Sequence, residues 1–375
     1  MELKNIQKRV VAEINLNALE ENFNKVKKPV CCVVKADAYG HGAVEISRFL
    51  EKLGANYLAV SNIEEAIEIR NGGVKTPIVI LGYTPTNCAK ELADYDIDQC
   101  VYSLEFARNL NEEAKKNNVR IRIHIKIDTG MGRIGFQYHG KHNELPEALE
   151  ACHQSNLEPY GIFMHFAKSD EGINDYTKNQ YKCFNEAIKY LEDNGVKFKV
   201  RHCANSGAIL DYQDYHLDMV RAGVIIYGVN PSPFEHHFKY VLTLKSRVSH
   251  VKTVFKGDSV SYNGLFVAEH DTKIATIPVG YADGFCREST GTYVMINGHK
   301  ATVIGRVCMD QMMVICEDAK VGDEVIIYGE GITVDDVAKY NKTSPYKVLC
   351  DIGRRVPRVY KYNGKIVAIR DDLVK

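Results

Sequence analysis

Val30-Cys31-Cys32-Val33-Val34-Lys35-Ala36-Asp37-Ala38-Tyr39-Gly40-His41-Gly42 runs from an apolar, β-branched stretch through a lysine into a turn-rich loop, and helical spacing follows at once over Ala43 to Leu53. A short apolar run leading into an amphipathic helix reads as one β/α unit. Further runs of the same kind follow at Tyr57 to Ser61, Pro77 to Leu81, Gln99 to Tyr102, Ile121 to Ile127, Tyr160 to His165, Phe198 to Cys203 and Met219 to Tyr227. Helical patterns separate them, among them Ile63 to Asn71, Leu104 to Asn117 and Tyr176 to Asn194, with Asn71-Gly72 and Asn194-Gly195 as stops. Eight such strands in the α/β class predict a parallel (β/α)8 TIM-type barrel over residues 1–235. In that architecture chemistry gathers at the C-terminal strand ends, where Lys35 stands.

After Pro231-Ser232-Pro233 the pattern changes to closely spaced strands, at Tyr240 to Val254, Ser259 to Tyr262, Lys273 to Val279, Tyr293 to Ile296, Ala301 to Glu317 and Glu324 to Tyr328. Asn297-Gly298 and Asn363-Gly364 are hairpin signals, and one short helix is expected near Thr333 to Tyr340. Residues 236–375 therefore read as a second, mostly antiparallel β domain.

With 375 residues, burying a core is not limiting, and 48 basic against 48 acidic side chains argue against nucleic acid or an anionic membrane as the main partner. Eleven cysteines lie scattered without metal-ligand spacing, so no metal is expected and a reducing compartment is. No run approaches the ~18–20 apolar residues of a membrane span, and Met1 to Leu16 lacks the apolar centre of a leader, so the chain as given reads as cytoplasmic with no membrane contact.

The remaining strand ends carry polar groups. Lys35 has the chemistry to hold an aldehyde cofactor covalently, and Tyr39 the reach to touch its phosphate. Strand five ends in Lys126-Ile127-Asp128-Thr129-Gly130-Met131-Gly132-Arg133, placing a guanidinium where it can clamp a carboxylate. Strand six ends at His165. Strand seven leads into His202-Cys203-Ala204-Asn205-Ser206-Gly207, a helix start offering amides and a hydroxyl to phosphate, and strand eight carries Arg221-Ala222-Gly223-Val224. A core histidine, a helix cap and a structural ion pair are the plain readings of His165, Asn205-Ser206 and Arg221. Converging with Lys35 on one barrel mouth, they make a ring of cofactor-sized contacts.

These motifs, with Val260-Ser261-Tyr262, Gly280-Tyr281-Ala282-Asp283-Gly284 and Gly305-Arg306-Val307-Cys308-Met309-Asp310-Gln311, resemble those of the alanine racemases over nearly the whole chain. The resemblance implies a pyridoxal 5′-phosphate enzyme that interconverts L- and D-alanine for peptidoglycan by two-base proton exchange. Lys35 then forms the internal aldimine and is one acid/base group, Tyr262 the other, with His165 and Arg221 completing the catalytic set. Tyr39, His202, Ser206, Gly223 and Val224 hold the cofactor, and Arg221 faces the pyridine nitrogen. Arg133 and the Met309 amide bind the substrate carboxylate, while Lys126, often carbamylated in the family, Asp310, Arg306 and Tyr281 support. A head-to-tail homodimer with shared sites is implied, with a small amino acid as the substrate. The chain departs from the family pattern at Asn263, where glycine is expected directly after Tyr262, and at Arg354, where many members carry an entrance-narrowing tyrosine. Serine or broad-specificity racemisation is thus an alternative, as is a noncatalytic cofactor-carrying barrel, which would lack the second domain.

Overall fold

The computed structural model describes residues 8–26 and 29–374; the rest, including the first seven residues of the amino-terminal stretch read above for a leader, lies outside the described residues. By contacts the chain divides into two compact units, one spanning Glu20–Ala38 and Ala43–Phe238, the other Met1–Leu19, Tyr39–Gly42 and Lys239–Lys375.

The first unit is the expected barrel. Its parallel strands are β1 (Val30–Val33), β2 (Tyr57–Val60), β3 (Ile78–Ile80), β4 (Ile97–Val101), β5 (Ile121–Asp128), β6 (Leu157–Phe163), β7 (Val200–His202) and β8 (Val220–Ala222). From β1 to β7 each strand pairs with the next, and β8 returns to β1 through Val220↔Val30. The seam between β7 and β8 is closed by Arg221 N donating to Ala204 O at 2.8 Å and Asp218 N to Arg201 O at 3.1 Å. Near-continuous burial of β1, β2 and β4 is what a sheet covered on both faces requires.

Several strand ends differ from the sequence reading. β6 stops at Phe163, leaving His165 in the following loop, and β8 stops at Ala222, before a 3₁₀ turn over Val224–Tyr227. At the first helix stop Gly73, not Gly72, takes the left-handed conformation (φ 85°); a Cβ on Gly72 would lie 2.5 Å from a methyl of Val44, so that glycine answers to packing.

The second unit holds a ten-stranded sheet in the order His250–Val254, Thr272–Ile277, Met312–Ile315, His299–Ile304, Tyr293–Ile296, Glu324–Tyr328, Leu242–Arg247, Val10–Asn15, Arg358–Tyr362 and Lys365–Arg370. Two of the long predicted strands are each a pair of strands, Tyr240 to Val254 turning at Val248-Ser249 and Ala301 to Glu317 interrupted over 305–311. Both Asn-Gly hairpins form with positive φ at asparagine and glycine alike, as a type I′ turn demands. A second short helix, Pro345–Cys350, follows the expected Val334–Tyr340. Its start, Ser344 capping the Lys347 amide before a proline, is a legible signal that the single-helix expectation passed over.

Val10–Asn15 was not foreseen as a strand. It lies antiparallel to Leu242–Arg247 and parallel to Arg358–Tyr362, with Val10, Ala12 and Ile14 buried. The first strand among the described residues thus lies within the sheet formed by the last third of the chain.

Candidate active site

Lys35 follows β1 by two residues and is half-buried. The next four residues, Ala36, Asp37, Ala38 and Tyr39, all sit in the left-handed region with φ of 52–55°. For L-residues with a Cβ this costs ~1–2 kcal/mol each, so the turn persists only because its surroundings over-determine it. Glu65 does much of that: its carboxylate accepts from Ala36 N at 2.7 Å and from Ser61 N at 2.9 Å. Asp37 accepts from Ala43 N at 2.8 Å, and Val34 O from Ala38 N at 2.9 Å. The left-handed turn begins on four residues other than glycine and continues through Gly40 (φ 79°), and Gly40 and Gly42 also serve close packing: a Cβ on Gly40 would lie 2.2 Å from Leu349 O and one on Gly42 1.9 Å from the Tyr360 hydroxyl. Tyr39 itself is buried, its ring 6.3 Å from that of Tyr346, and burial raises its hydroxyl above the usual tyrosine range.

Arg221, on β8, is buried and densely partnered. Its Nη1 donates to His202 Nδ1 at 3.0 Å and His202 O at 2.9 Å, and its Nη2 meets Met164 O, Cys203 O and His165 Nδ1 at 2.7, 3.0 and 3.3 Å. Nε–H alone has no acceptor among the described residues. Burial, then the Arg221 charge, hold both His165 and His202 well below the usual imidazole range, so both are neutral.

Beside this cluster the side chain of Ser206, first residue of the helix Ser206–Asp211, accepts from Gly223 N at 3.1 Å and keeps its own proton to donate. Asn205 caps that helix through Ala208 N, and a Cβ on Gly207 would lie 2.7 Å from Ser169 O, so the helix start is held in place. Ser206 and Gly223 are thereby brought together, and Val224 opens the 3₁₀ turn that follows.

Lys126 is 2 % exposed; among the described residues its amine meets the Ile127 carbonyl and the Phe163 ring. Burial, reinforced by Arg221 and Arg133, lowers it to about 7. The Asp128 carboxylate accepts from the amides of Gly130, Met131 and Gly132, folding the loop so that Arg133 is presented exposed, with no hydrogen bond or ion pair to the described residues.

A group that sequence reasoning missed lies inside the barrel. Asp98 on β4 accepts from Arg122 Nε at 2.7 Å and the Tyr57 hydroxyl at 3.0 Å, and meets His124 Nε2 at 3.3 Å; His124 Nδ1 in turn meets His202 Nε2 at 3.0 Å. The signal existed in β5, where Arg122, His124, Lys126 and Asp128 alternate with four isoleucines and so share one face.

In the second unit three motif segments meet, two through their backbones and the third through the Ser261 hydroxyl. Tyr281 N donates to Cys308 O at 3.1 Å, Ala282 N to Met309 O at 3.0 Å, and the Ser261 hydroxyl to Arg306 O at 2.6 Å. A Cβ on Gly305 would lie 2.7 Å from Val260 O, which locks this apposition. Tyr262 and Met309 are left 61 % and 53 % exposed, and the additional Asn263 takes a left-handed φ of 61°. Tyr281 is also exposed, Arg306 faces Glu288 at 3.9 Å, and Asp310 pairs with Arg355 at 2.7 Å.

The barrel residues fit an aldehyde cofactor carrying a ring nitrogen and a phosphate. A half-buried amine follows β1, the Arg221 Nε–H lacks a protein acceptor, and a hydroxyl with an unused proton stands at the Ser206 helix start.

Residues 14–231 match the family model for the alanine racemase N-terminal domain and residues 241–360 that for the alanine racemase C-terminal domain. The chain is 43 % identical to alanine racemase 1 of Clostridium acetobutylicum over 96 % of its own length and 98 % of that protein's. Its fold is similar to that of alanine racemase from Clostridium difficile 630, with TM-score 0.94, 41 % identity and coverage of 99 % and 100 % of the two chains. A Bartonella henselae alanine racemase with covalently bound pyridoxal phosphate matches with TM-score 0.85 and 27 % identity over 95 % of this chain and all of that one.

Proposed function

This chain belongs to the alanine racemase family, and from that premise we propose that it interconverts L- and D-alanine, using pyridoxal 5′-phosphate held by Lys35. The donor pattern at Arg221 carries the reading. With both Nη nitrogens engaged by protein acceptors, Nε–H is left to face the pyridine nitrogen, and a guanidinium there discourages protonation of the ring. Bound, the cofactor acidifies the substrate α-carbon by drawing charge into its ring. Tyr39, His202, Ser206, Gly223 and Val224 hold it, and the exposed Arg133 clamps the substrate carboxylate with the Met309 amide. Lys35 and Tyr262 exchange the α-proton on opposite faces, His165 and Arg221 lowering the cost of an ionised phenol. Lys126 is suited to carbamylation, since an amine titrating near 7 offers carbon dioxide a neutral nitrogen; the resulting carboxylate would steady Arg133, with Arg306, Asp310 and Tyr281 supporting from the second unit.

A head-to-tail homodimer, in which the phenol of one copy completes the site of the other, is part of the proposal. Its support is the exposed apolar set of Tyr262, Leu265, Val267 and Met309 on adjoining segments. We place the enzyme in the cytoplasm as a source of D-alanine for peptidoglycan; among the described residues no helix is long and apolar enough to cross a membrane.

Incubation of the holoenzyme with L-alanine in heavy water tests this. α-Deuteration together with decay of optical rotation supports racemisation, carbon dioxide release would mean decarboxylation, and neither would leave a carrier. The exposed guanidinium of Arg354 favours one further comparison, the same assay on L-serine.

A further inference from the structure

Asp98, His124, His202 and Arg221 form a single hydrogen-bonded file across the barrel interior, with side-chain separations of 3.3, 3.0 and 3.0 Å, and every member is at most 2 % exposed. Its two ends have fixed characters. A guanidinium only donates, so His202 Nδ1 must accept. A carboxylate, already receiving Arg122 and Tyr57, only accepts, so His124 Nε2 must carry a proton. A neutral imidazole has one donor and one acceptor nitrogen. Both constraints are met together only if His202 bears its proton on Nε2 and gives it to the lone pair of His124 Nδ1. Protonating either ring would set one N–H against another.

A second, independent feature shows that the file is built rather than incidental. A Cβ on Gly161 would lie 2.3 Å from His124 Nδ1 and 2.7 Å from Cγ, against the rigid ring itself. Gly161 is there to admit His124. The His202 ring in turn stacks on Phe163, centroids 5.0 Å apart and planes inclined by 10°, and Tyr57 meets the edge of His124 at 5.9 Å.

We propose that Asp98 and His124 are positioning residues for the reaction: by dictating the tautomer of His202 they fix the Arg221 guanidinium in the orientation that turns Nε–H toward the cofactor. The inference rests on the function proposed above but reaches beyond the groups that touch cofactor or substrate. Asp98→Asn should invert the file. With the amide oxygen turned to Arg122, the amide N–H₂ faces His124 Nε2, which must then accept; the protons of both imidazoles move to Nδ1, and the last of them points at Arg221.

Long-range ¹⁵N–¹H correlation on the histidine-labelled holoenzyme tests this without any variant. The ionisable groups packed around the pair are Tyr57, Asp98, Arg122, Lys126, Tyr160 and Arg221. Both rings should be neutral and Nε2-protonated from pH 6 to 9; an Nδ1-protonated or cationic ring at either position overturns the proposal. In Asp98→Asn the ratio of racemisation to cofactor-consuming transamination should fall by about tenfold or more, the scale of one lost hydrogen bond to a charged group. Asp96→Asn, which removes an exposed charge beside the same Arg122, should leave that ratio unchanged. An unaltered ratio and unaltered tautomers in Asp98→Asn would refute the role. Should that variant not fold, the wild-type tautomers decide. Racemisation by an enzyme with the wrong tautomers would sink only this inference, whereas correct tautomers in an enzyme that does not racemise would sink the proposed function.

Discussion

The barrel interior and the motif loops of the second unit solve the same problem, holding polar groups in place, by opposite means. In the barrel, Asp98, His124, His202 and Arg221 are buried and fix one another side chain to side chain, so their geometry is complete within one fold. In the segments 259–264, 280–284 and 305–310 backbone groups, with the Ser261 hydroxyl, tie the loops together, and Tyr262 and Met309 are left exposed. A buried network sets its own electrostatics, because low polarity strengthens each bond and penalises each gap. An exposed phenol depends on whatever comes to cover it. The function proposed above divides the work along this contrast, with fixed electrostatics in the barrel and proton exchange at Tyr262 in the proposed assembly of two copies.

The largest effects should come from removing the two bases on either side of this divide. Lys35→Ala and Tyr262→Phe are each expected to lower kcat by about 10⁴-fold or more, the upper range for one positioned acid/base group and beyond it where covalent attachment is lost as well. Mixed and allowed to exchange, the two inactive variants should regain roughly a quarter of wild-type activity, since half the dimers are mixed and each has one intact site. No recovery, with exchange verified by mass, would place the phenol and its amine partner in the same copy.

The next effect concerns stability of the barrel network. Gly161→Ala presses a methyl into the His124 ring, and overpacking plus broken buried hydrogen bonds should cost about 2–5 kcal/mol. Gly54→Ala is the control, because a Cβ there meets nothing within 4 Å and only its φ of 88° is penalised, at ~1 kcal/mol. Equal denaturation midpoints for the two variants would show that the seat of His124 is not tightly built.

How much of this was readable depends on whether the cause was local. The barrel strands announced themselves because apolar runs and helical spacing are properties of neighbouring residues, and the strand-end groups could be found by looking where those runs stop. The pairing of Val10–Asn15 with strands more than 220 residues away leaves no local mark beyond a short alternation. Nor does the left-handed turn after Lys35, since Ala-Asp-Ala-Tyr has no preference for that region and is held there by Glu65 from another element. Asp98 escaped notice for a related reason: Ile97-Asp98-Gln99-Cys100 does not look like part of a site until the barrel closes and brings His124 against it.

A third effect separates the buried lysine from the exposed cations of the molecule. Burial lowers Lys126 from 10.5 to about 7, so between those values the unfolded chain binds a proton that the native one refuses. The stability this group permits is whole above pH 10.5 and is lost as pH falls toward 7, at up to ~1.4 kcal/mol per unit. In buffer free of carbon dioxide, urea unfolding of Lys126→Met should lack that slope and should show a higher stability than wild type at pH 7. Parallel pH dependences for the two proteins would mean that the amine keeps its charge in the fold.

The smallest change is expected at the exposed edge of the second unit, at Arg354. Its guanidinium is exposed, unlike that of Arg358 four residues on, which is buried and donates to the carbonyls of Gly40, Ile352, Gly353 and Val356. The two arginines restate the contrast within one segment: Arg358 is buried and holds the fold through four carbonyls, whereas Arg354 lies at the surface, where a substitution alters what approaches. Replacing Arg354 by tyrosine should therefore leave the denaturation midpoint within experimental error and change the ratio of kcat/KM for alanine over serine by less than about tenfold. That lies below the ~10–200-fold that a single methylene commands inside a pocket, as a contact outside the pocket requires. A shift of a hundredfold or more would move Arg354 into the substrate pocket itself. No shift at all would mean that selectivity between these two amino acids is set by the barrel alone.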